Sequence, residues 1–592
     1  MDKKYLDTLL LEWKYNITRA DSLDRAVLDG LQPHRNLKKL SVMGYAGTTF
    51  PSWIGDSLFH NLEFLRLENC KKCASLPLLG LLPSLKELVV KGMSSIKRID
   101  HEFCGESYLN TFPTLETLRF MNMPEWEDWN TSGLEFPCLQ ELAIEDCPKL
   151  SGKLPNHLPL LKKLVIENVS SLLFYFQVSQ WSLCWKLKDA KSSFPDAMTY
   201  NSVYLEELRI ERCNLLMSLG RGQLPPTLKR LMIKFCHNLQ SLLYEAEDED
   251  EESFSSCGNT FSLDLLSIEA CPSLTLLSSR GGLPSSLKHL WISHCSELTS
   301  LSPSAKLPAR LEYLQVWNCS GLTSLSSGDN LPASLKHLEI WYCSRLESIA
   351  ERFDNNASLE RISIRNCDNL KSLPSNLHKL INLHYISLSG WPSLVSFQWQ
   401  VLPATYSEEH QVEREKKFEG LLDGIHELTS LHALLLNNCP GIVSFPEGGL
   451  PTNLTSLYIC HLKICKPLFE WGLHRLTSLT ELHILECSDV VSFPDDEIAM
   501  MLPTSLTHLS LGEFANLGYL STKGFENLAS LEYLCVYDCP KLAFLPKNGL
   551  PSSLMKLYIN NCPLLKERCQ NGNRPEWFKI ANIPHIKMDN RS

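Results

Sequence analysis

The sequence predicts an α/β repeat solenoid. Short strands stack side by side into one parallel sheet, and irregular or short helical segments return the chain behind it. Three observations carry this. The frame L-x-x-L-x-[LIV] recurs along all 592 residues, its spacing centres on about 24 residues, and a cysteine closes the frame again and again. A chain this long exceeds a single ordinary core, so a repeat array or several domains is the starting expectation.

The frame opens at Leu6, Leu37, Leu62, Leu85, Leu115, Leu139, Leu161, Leu205, Leu228 and Leu263. It continues at Leu287, Leu311, Leu335, Leu359, Leu383, Leu431, Leu454, Leu479, Leu506, Leu531 and Leu554. These leucines mark a leucine-rich-repeat horseshoe of about 21 repeats, read as one domain over residues 1–592, with the sheet on its concave face. Within LxxLxI, alternation sends the apolar side chains inward and the intervening ones outward. The second half of each repeat, CSRLESI or CDNLKSLP, turns the chain and supplies further inward leucines. Leu-Pro pairs such as Leu331-Pro332 and Leu450-Pro451 lead into the next strand, where proline costs no ladder bond. No repeat buries its leucines alone, so stability comes from stacking on neighbours.

Three intervals break the rhythm. An acidic loop occupies residues 245–258, with EAEDEDEES at Glu245–Ser253, and reads as a solvated insertion. Residues 168–204 and 398–420 read as irregular or degenerate repeats, each interval holding room for a second repeat with a weak strand. Residues 563–592 read as a C-terminal closure.

Cysteine takes the ninth position of the frame at Cys271, Cys295, Cys319, Cys343 and Cys367, among others. We read these as a structural thiol ladder. Side chains in register on parallel strands project the same way, whereas a disulfide needs converging Cβ atoms. A zinc site needs paired cysteines, usually two CxxC units; only Cys70 and Cys73 have that spacing. No metal or other cofactor is expected.

Neither a phosphate loop, an HExxH, a GxSxG nor a dinucleotide fingerprint occurs, so the chain is read as not an enzyme. A net charge of −11 argues against nucleic acid as a partner, and no apolar run is long enough to span a bilayer. What remains is the outward face. Across adjacent repeats it presents Trp291, His294, Tyr313, Trp317, His337, Trp341 and Tyr342. Large aromatics on a rigid sheet are the residues that dominate protein interfaces. Stacking along the ladder is the competing reading, and the sequence leaves both open. A second stripe comprises Tyr458, His483, Tyr533, Tyr537 and Tyr558.

LQPHRNLKKLSVMGYAGTTFPSWIGD, LENCKKCASLPLLGLLPSLKELVVKGM and the ending NCPLLKERCQ…PEWFKIANIPHI resemble the leucine-rich-repeat region of plant coiled-coil-type nucleotide-binding disease resistance proteins. The resemblance implies a non-enzymatic, cytoplasmic recognition module in plant defence, reaching nucleus or membrane through partners. It would sense pathogen effectors or effector-modified host proteins. The family's coiled coil and nucleotide-binding module have no counterpart in this sequence, so we read it as a truncated member or a separately encoded repeat region, and a nucleotide-binding module supplied by another chain joins the expected partners. Alternatives are the substrate receptor of a ubiquitin ligase, a receptor ectodomain, and a non-functional truncated product. The first strand, YLDTLLLEW, lacks a polar cap, which predicts self-association or a partner at that end.

Overall fold

The computed structural model describes the chain apart from residues 1–4, 14–20, 106–110, 131–135, 173–203, 221–224, 245–261, 279–281, 303–305, 327–329, 393–424, 443–447, 497–500, 571–574 and 589–592, and apart from 153, 156–157, 170, 226, 351, 354, 375, 441, 463–464, 488–489 and 495. The acidic stretch Glu245–Ser253, residues 398–420 and most of 168–204 lie outside the described residues.

Each frame leucine is followed, two residues later, by a five-residue strand, from Thr8–Glu12 to Lys556–Asn560. The chain divides into two compact units, Met1–Leu298 and Thr299–Ser592. In the first unit a parallel ladder runs from Thr8–Glu12 to His289–Ser293. In the second it runs from Tyr313–Trp317 to His585–Met588. Equivalent positions pair without slippage, as in Leu314↔Leu338 and Val316↔Ile340. A one-residue slip would turn every leucine to solvent, so burial itself enforces the register.

The core is the frame. Leu311, Leu314 and Val316 are at most 1% exposed, as are Leu335, Leu338 and Ile340. Burying each such side chain contributes about 1.5–3 kcal/mol relative to exposure. The L-P-x-S-L return has a physical role at each residue. Pro332 opens a turn closed by the Leu335 amide, which donates to the Pro332 carbonyl at 3.1 Å. Ser334 Oγ donates 2.7 Å to the carbonyl of Leu311, the first frame leucine of the repeat before. Ser286, Ser505 and Ser553 make the same staple to Leu263, Leu479 and Leu531.

Behind the ladder the second halves form small parallel pairings of their own, such as Ser300–Ser302 with Ser324–Ser326. The described helices are short, among them Asp21–Gly30, Cys465–Trp471 and Pro563–Gln570.

The strands on either side of the two long intervals meet in the ladder. Lys163–Glu167 pairs directly with Glu207–Glu211, and Tyr385–Ser389 pairs directly with Ala433–Asn437. The C-terminal closure supplies one strand more than the frame marks. His585–Met588 extends the ladder on Lys556–Asn560. Before it, Glu576, 4% exposed, accepts from the Leu545 amide at 2.9 Å and pairs with Lys579 at 2.9 Å.

Candidate protein-binding face

Third, fifth and seventh positions of the frame project from the open side of each ladder. In the second unit, strands Tyr313–Trp317 and His337–Trp341 pair Tyr313 with His337 and Trp317 with Trp341. The Tyr313 and His337 rings stack at 4.6 Å, and the two indoles meet edge to face at 6.4 Å. Burial holds the His337 imidazole below its ordinary pKa, against the opposing pull of Glu360 at 3.8 Å. The next strand, Arg361–Arg365, brings two guanidiniums. Arg361 lies 4.0 Å from the Tyr385 ring centroid and Arg365 lies 5.0 Å from that of Trp341. Serines beneath anchor the large groups: Trp341 Nε1 donates to Ser363 Oγ at 2.9 Å, and Arg365 Nη2 to Ser387 Oγ at 3.4 Å.

Tyr342 occupies the eighth position, where the chain leaves the strand. Its φ is +58° and its amide extends the ladder by donating 2.7 Å to the Arg365 carbonyl. That geometry turns its ring outward, leaving it 48% exposed, while Trp317 keeps 42% exposure. Mutual stacking therefore covers only part of these rings. Trp291, 44% exposed, and His294 belong to the first unit, at the fifth and eighth positions of the repeat built on His289–Ser293. The second stripe also stacks: Tyr458 on His483 at 4.0 Å, His508 on Tyr533 at 5.4 Å, and Tyr533 on Tyr558 at 5.3 Å. The Tyr458 hydroxyl donates to Glu481 at 3.3 Å.

The first unit's open face is of another kind, and frame counting did not single it out. Its arginines are neutralised in place. Arg66 and Lys91 share Glu68, Arg119 and Lys163 share Glu141, Arg209 meets Glu211, and Arg230 meets Glu207. Among the described residues no carboxylate stands within ion-pair distance of Arg361 or Arg365. Recognising this contrast needs the register, because the partners are 22 or more residues apart in most of these pairs.

Cys271, Cys295, Cys319, Cys343 and Cys367 are fully buried. Each Sγ lies 3.4–3.6 Å from the carbonyl two residues before it, and Cys367 also reaches the Ile340 carbonyl at 3.7 Å. Burial pushes the Cys343 and Cys367 thiols up to about 12. Cys70 and Cys73 turn to different carbonyls, Val42 at 3.8 Å and Gly47 at 3.1 Å. Among the described residues no group of three histidine, cysteine or acidic side chains could hold a metal ion, and no described helix is long and apolar enough to cross a membrane.

A stacked parallel ladder with apolar frame positions inside and variable side chains outside defines a leucine-rich-repeat protein. Residues 1–93 match the family described as R13L1/DRL21 leucine-rich repeats. The disease resistance RPP13-like protein 1 of Arabidopsis thaliana is 35% identical over 268 residues, 40% of this chain and 25% of that one. Disease resistance protein RGA4 of Solanum bulbocastanum is 32% identical over 157 residues, 25% of this chain and 15% of that one. The matches thus span a quarter or less of the length of these relatives. Among solved structures, a leucine-rich-repeat protein of Leptospira interrogans aligns over 98% of this chain and 99% of its own, at 17% identity and a TM-score of 0.29. The matched repeats of this chain are similar to those of these plant disease resistance proteins.

Proposed function

We propose that the open face of the ladder is a non-enzymatic recognition surface in plant defence, engaging a pathogen effector or an effector-modified host protein in the cytoplasm. The observation that carries this is the second unit's aromatic patch. Trp317 and Tyr342 keep over two-fifths of their surface exposed on a rigid sheet whose core does not need them. Exposed indole and phenol rings contribute large contact area at low conformational cost. The likeness to disease resistance proteins supplies the biological setting.

The test is a binary interaction screen of the full chain against an effector library and host proteins, repeated with Trp317→Ala and Trp341→Ala together. A partner engaging this patch should lose affinity by about tenfold or more in the double variant. Undiminished affinity for every partner found would remove the patch from the reading.

A further inference from the structure

We infer that the second unit's open face is a seat for an acidic segment of the partner protein, with Arg361 and Arg365 as its two anion-binding points. This rests on the recognition reading above and names the chemistry of what is recognised.

The argument begins with a contrast inside one chain. Arg66, Arg119, Arg209 and Arg230 project from the first unit's ladder and each meets a glutamate of the same sheet. Arg361 and Arg365 also project from the open side, at the third and seventh frame positions of the second unit's ladder, and both are half-buried. They meet aromatic rings instead of carboxylates. A guanidinium on a ring face keeps its in-plane N–H donors available, and a partly desolvated cation gains more from an arriving anion than one in open water. The Arg365 fork is held in advance by Ser387 and by the Trp341 ring, so less side-chain entropy is lost on binding.

Spacing narrows the ligand. The two arginines stand four residues apart on one strand, which separates their Cα atoms by about 13 Å. An extended segment lying along the strand reaches both with carboxylates at i and i+4. Between them only Ser363 projects, 1% exposed, so no side chain blocks the segment's backbone. The neighbouring charges set the approach. Glu339, on the fifth position of the preceding strand, and Glu360, beside Arg361, repel an acidic segment from the His337 side. Lys336 on that side is already paired with Glu312 at 2.8 Å. The seat opens toward Ser387 and Ser389, which carry no charge. Trp341 and Tyr342 flank it with apolar surface for the segment's other side chains, and Trp317 extends that surface one strand further.

The experiment titrates the full chain into a fluorescein-labelled peptide, Ser-Glu-Leu-Ser-Leu-Glu-Ser, at low ionic strength, with anisotropy as the readout. A peptide with both glutamates changed to glutamine, and one with both changed to phosphoserine, run beside it. The glutamate peptide should bind at least about tenfold more tightly than the glutamine peptide. Arg361→Gln with Arg365→Gln should abolish that difference, while Arg119→Gln, which removes an already bridged arginine, should leave it intact. Equal binding of both peptides, or no binding of the glutamate peptide up to millimolar concentration, overturns the inference. So does a difference that survives the double glutamine variant. Preference for the phosphoserine peptide over the glutamate peptide would also overturn it, assigning the seat to a phosphorylated segment. If the double variant melts lower, the wild-type comparison of peptides decides. A partner lost in the tryptophan double variant but unaffected by the arginine variants would sink this inference and leave the recognition reading standing.

Discussion

At the residue scale the eighth position of the repeat does more than frame counting suggests. In nearly every repeat it adopts a left-handed conformation, φ near +50° to +70° from Gly44 and Asn69 to Asn561. The reason is local. Its amide must reach the carbonyl of the seventh position in the next strand, as Asn318 does to Trp341 at 2.8 Å, while the chain turns inward to bury the cysteine. Glycine and asparagine accept this conformation cheaply, and other residues pay strain of about 1–2 kcal/mol. Tyr342→Gly is therefore expected to raise stability by up to about 1 kcal/mol, and Asn366→Val to lower it by about 1–2 kcal/mol. Urea midpoints of the two variants measured together check both signs. The frequency of Asn-Cys and Asp-Cys pairs was visible in the sequence, but its cause was not, because backbone handedness leaves no periodic signal.

The buried thiols carry a second residue-scale expectation. Cys70, Cys147, Cys213, Cys343 and Cys367 are each pushed up to about 12 by burial, against about 8.5 in the unfolded chain. Between those values the unfolded state releases protons that the folded state keeps. The stability these groups provide is thus fully present below about pH 8.5 and declines as pH rises toward 12. Each thiol contributes a slope of about 1.4 kcal/mol per pH unit in that window. Stability from urea titrations should be flat near pH 7–8 and fall from about pH 9, and Cys343→Ala should make the fall shallower. A pH-independent midpoint up to pH 10 would mean the thiols are not held protonated.

At the element scale, the most specific stretch of the sequence resemblance, Gly44–Asp56, acquires a mechanical meaning. The 3₁₀ turn Ser52–Gly55 buries Trp53, whose indole N–H donates 3.1 Å to the Leu28 carbonyl of helix Asp21–Gly30. Gly55 sits where a Cβ would lie 1.6 Å from the Leu78 carbonyl oxygen, so the turn presses directly on the next repeat. Gly55→Ala is expected to cost about 1–3 kcal/mol or more. Hydrogen exchange should then show loss of protection in Asp21–Gly30 and in the turn before it appears in the second unit. Uniform protection with unchanged melting would show that the contact relaxes freely. The two long intervals teach the complementary lesson. Lys163–Glu167 meets Glu207–Glu211 and Tyr385–Ser389 meets Ala433–Asn437 in full register across them, since pairing depends on which segments bury their apolar side chains and not on how many residues intervene.

For the whole molecule, the first and last described strands share one feature, since the inward side chains Ile586 and Met588 of His585–Met588 are only half-buried. The first strand, Thr8–Glu12, leaves Leu10 56% exposed, and Leu9 and Leu11 are only half-buried where their successors Leu40 and Val42 are sealed. Apolar side chains left half-buried on a strand lower their free energy when more protein covers them. The 592-residue chain by itself is expected to self-associate at micromolar concentration, with Leu9→Glu and Leu11→Glu reducing the association. A monodisperse monomer by light scattering, with no change in the variant, would refute this.

The register of the frame was legible without coordinates, because burial of leucines at fixed spacing is a local pattern that each repeat states anew. Outward positions within the strands followed from it by alternation, whereas the exposure of Tyr342 and His294 at the eighth position depends on the left-handed backbone there. The last strand was hidden, since Ile583, Ile586 and Met588 stand where the frame has leucines. What no single repeat contains is the relation between repeats. That Arg119 and Arg230 find glutamates while Arg361 finds a ring, and which rings stack on which, depends on neighbours a full turn away. Only the stacked chain brings those neighbours to within a few ångströms.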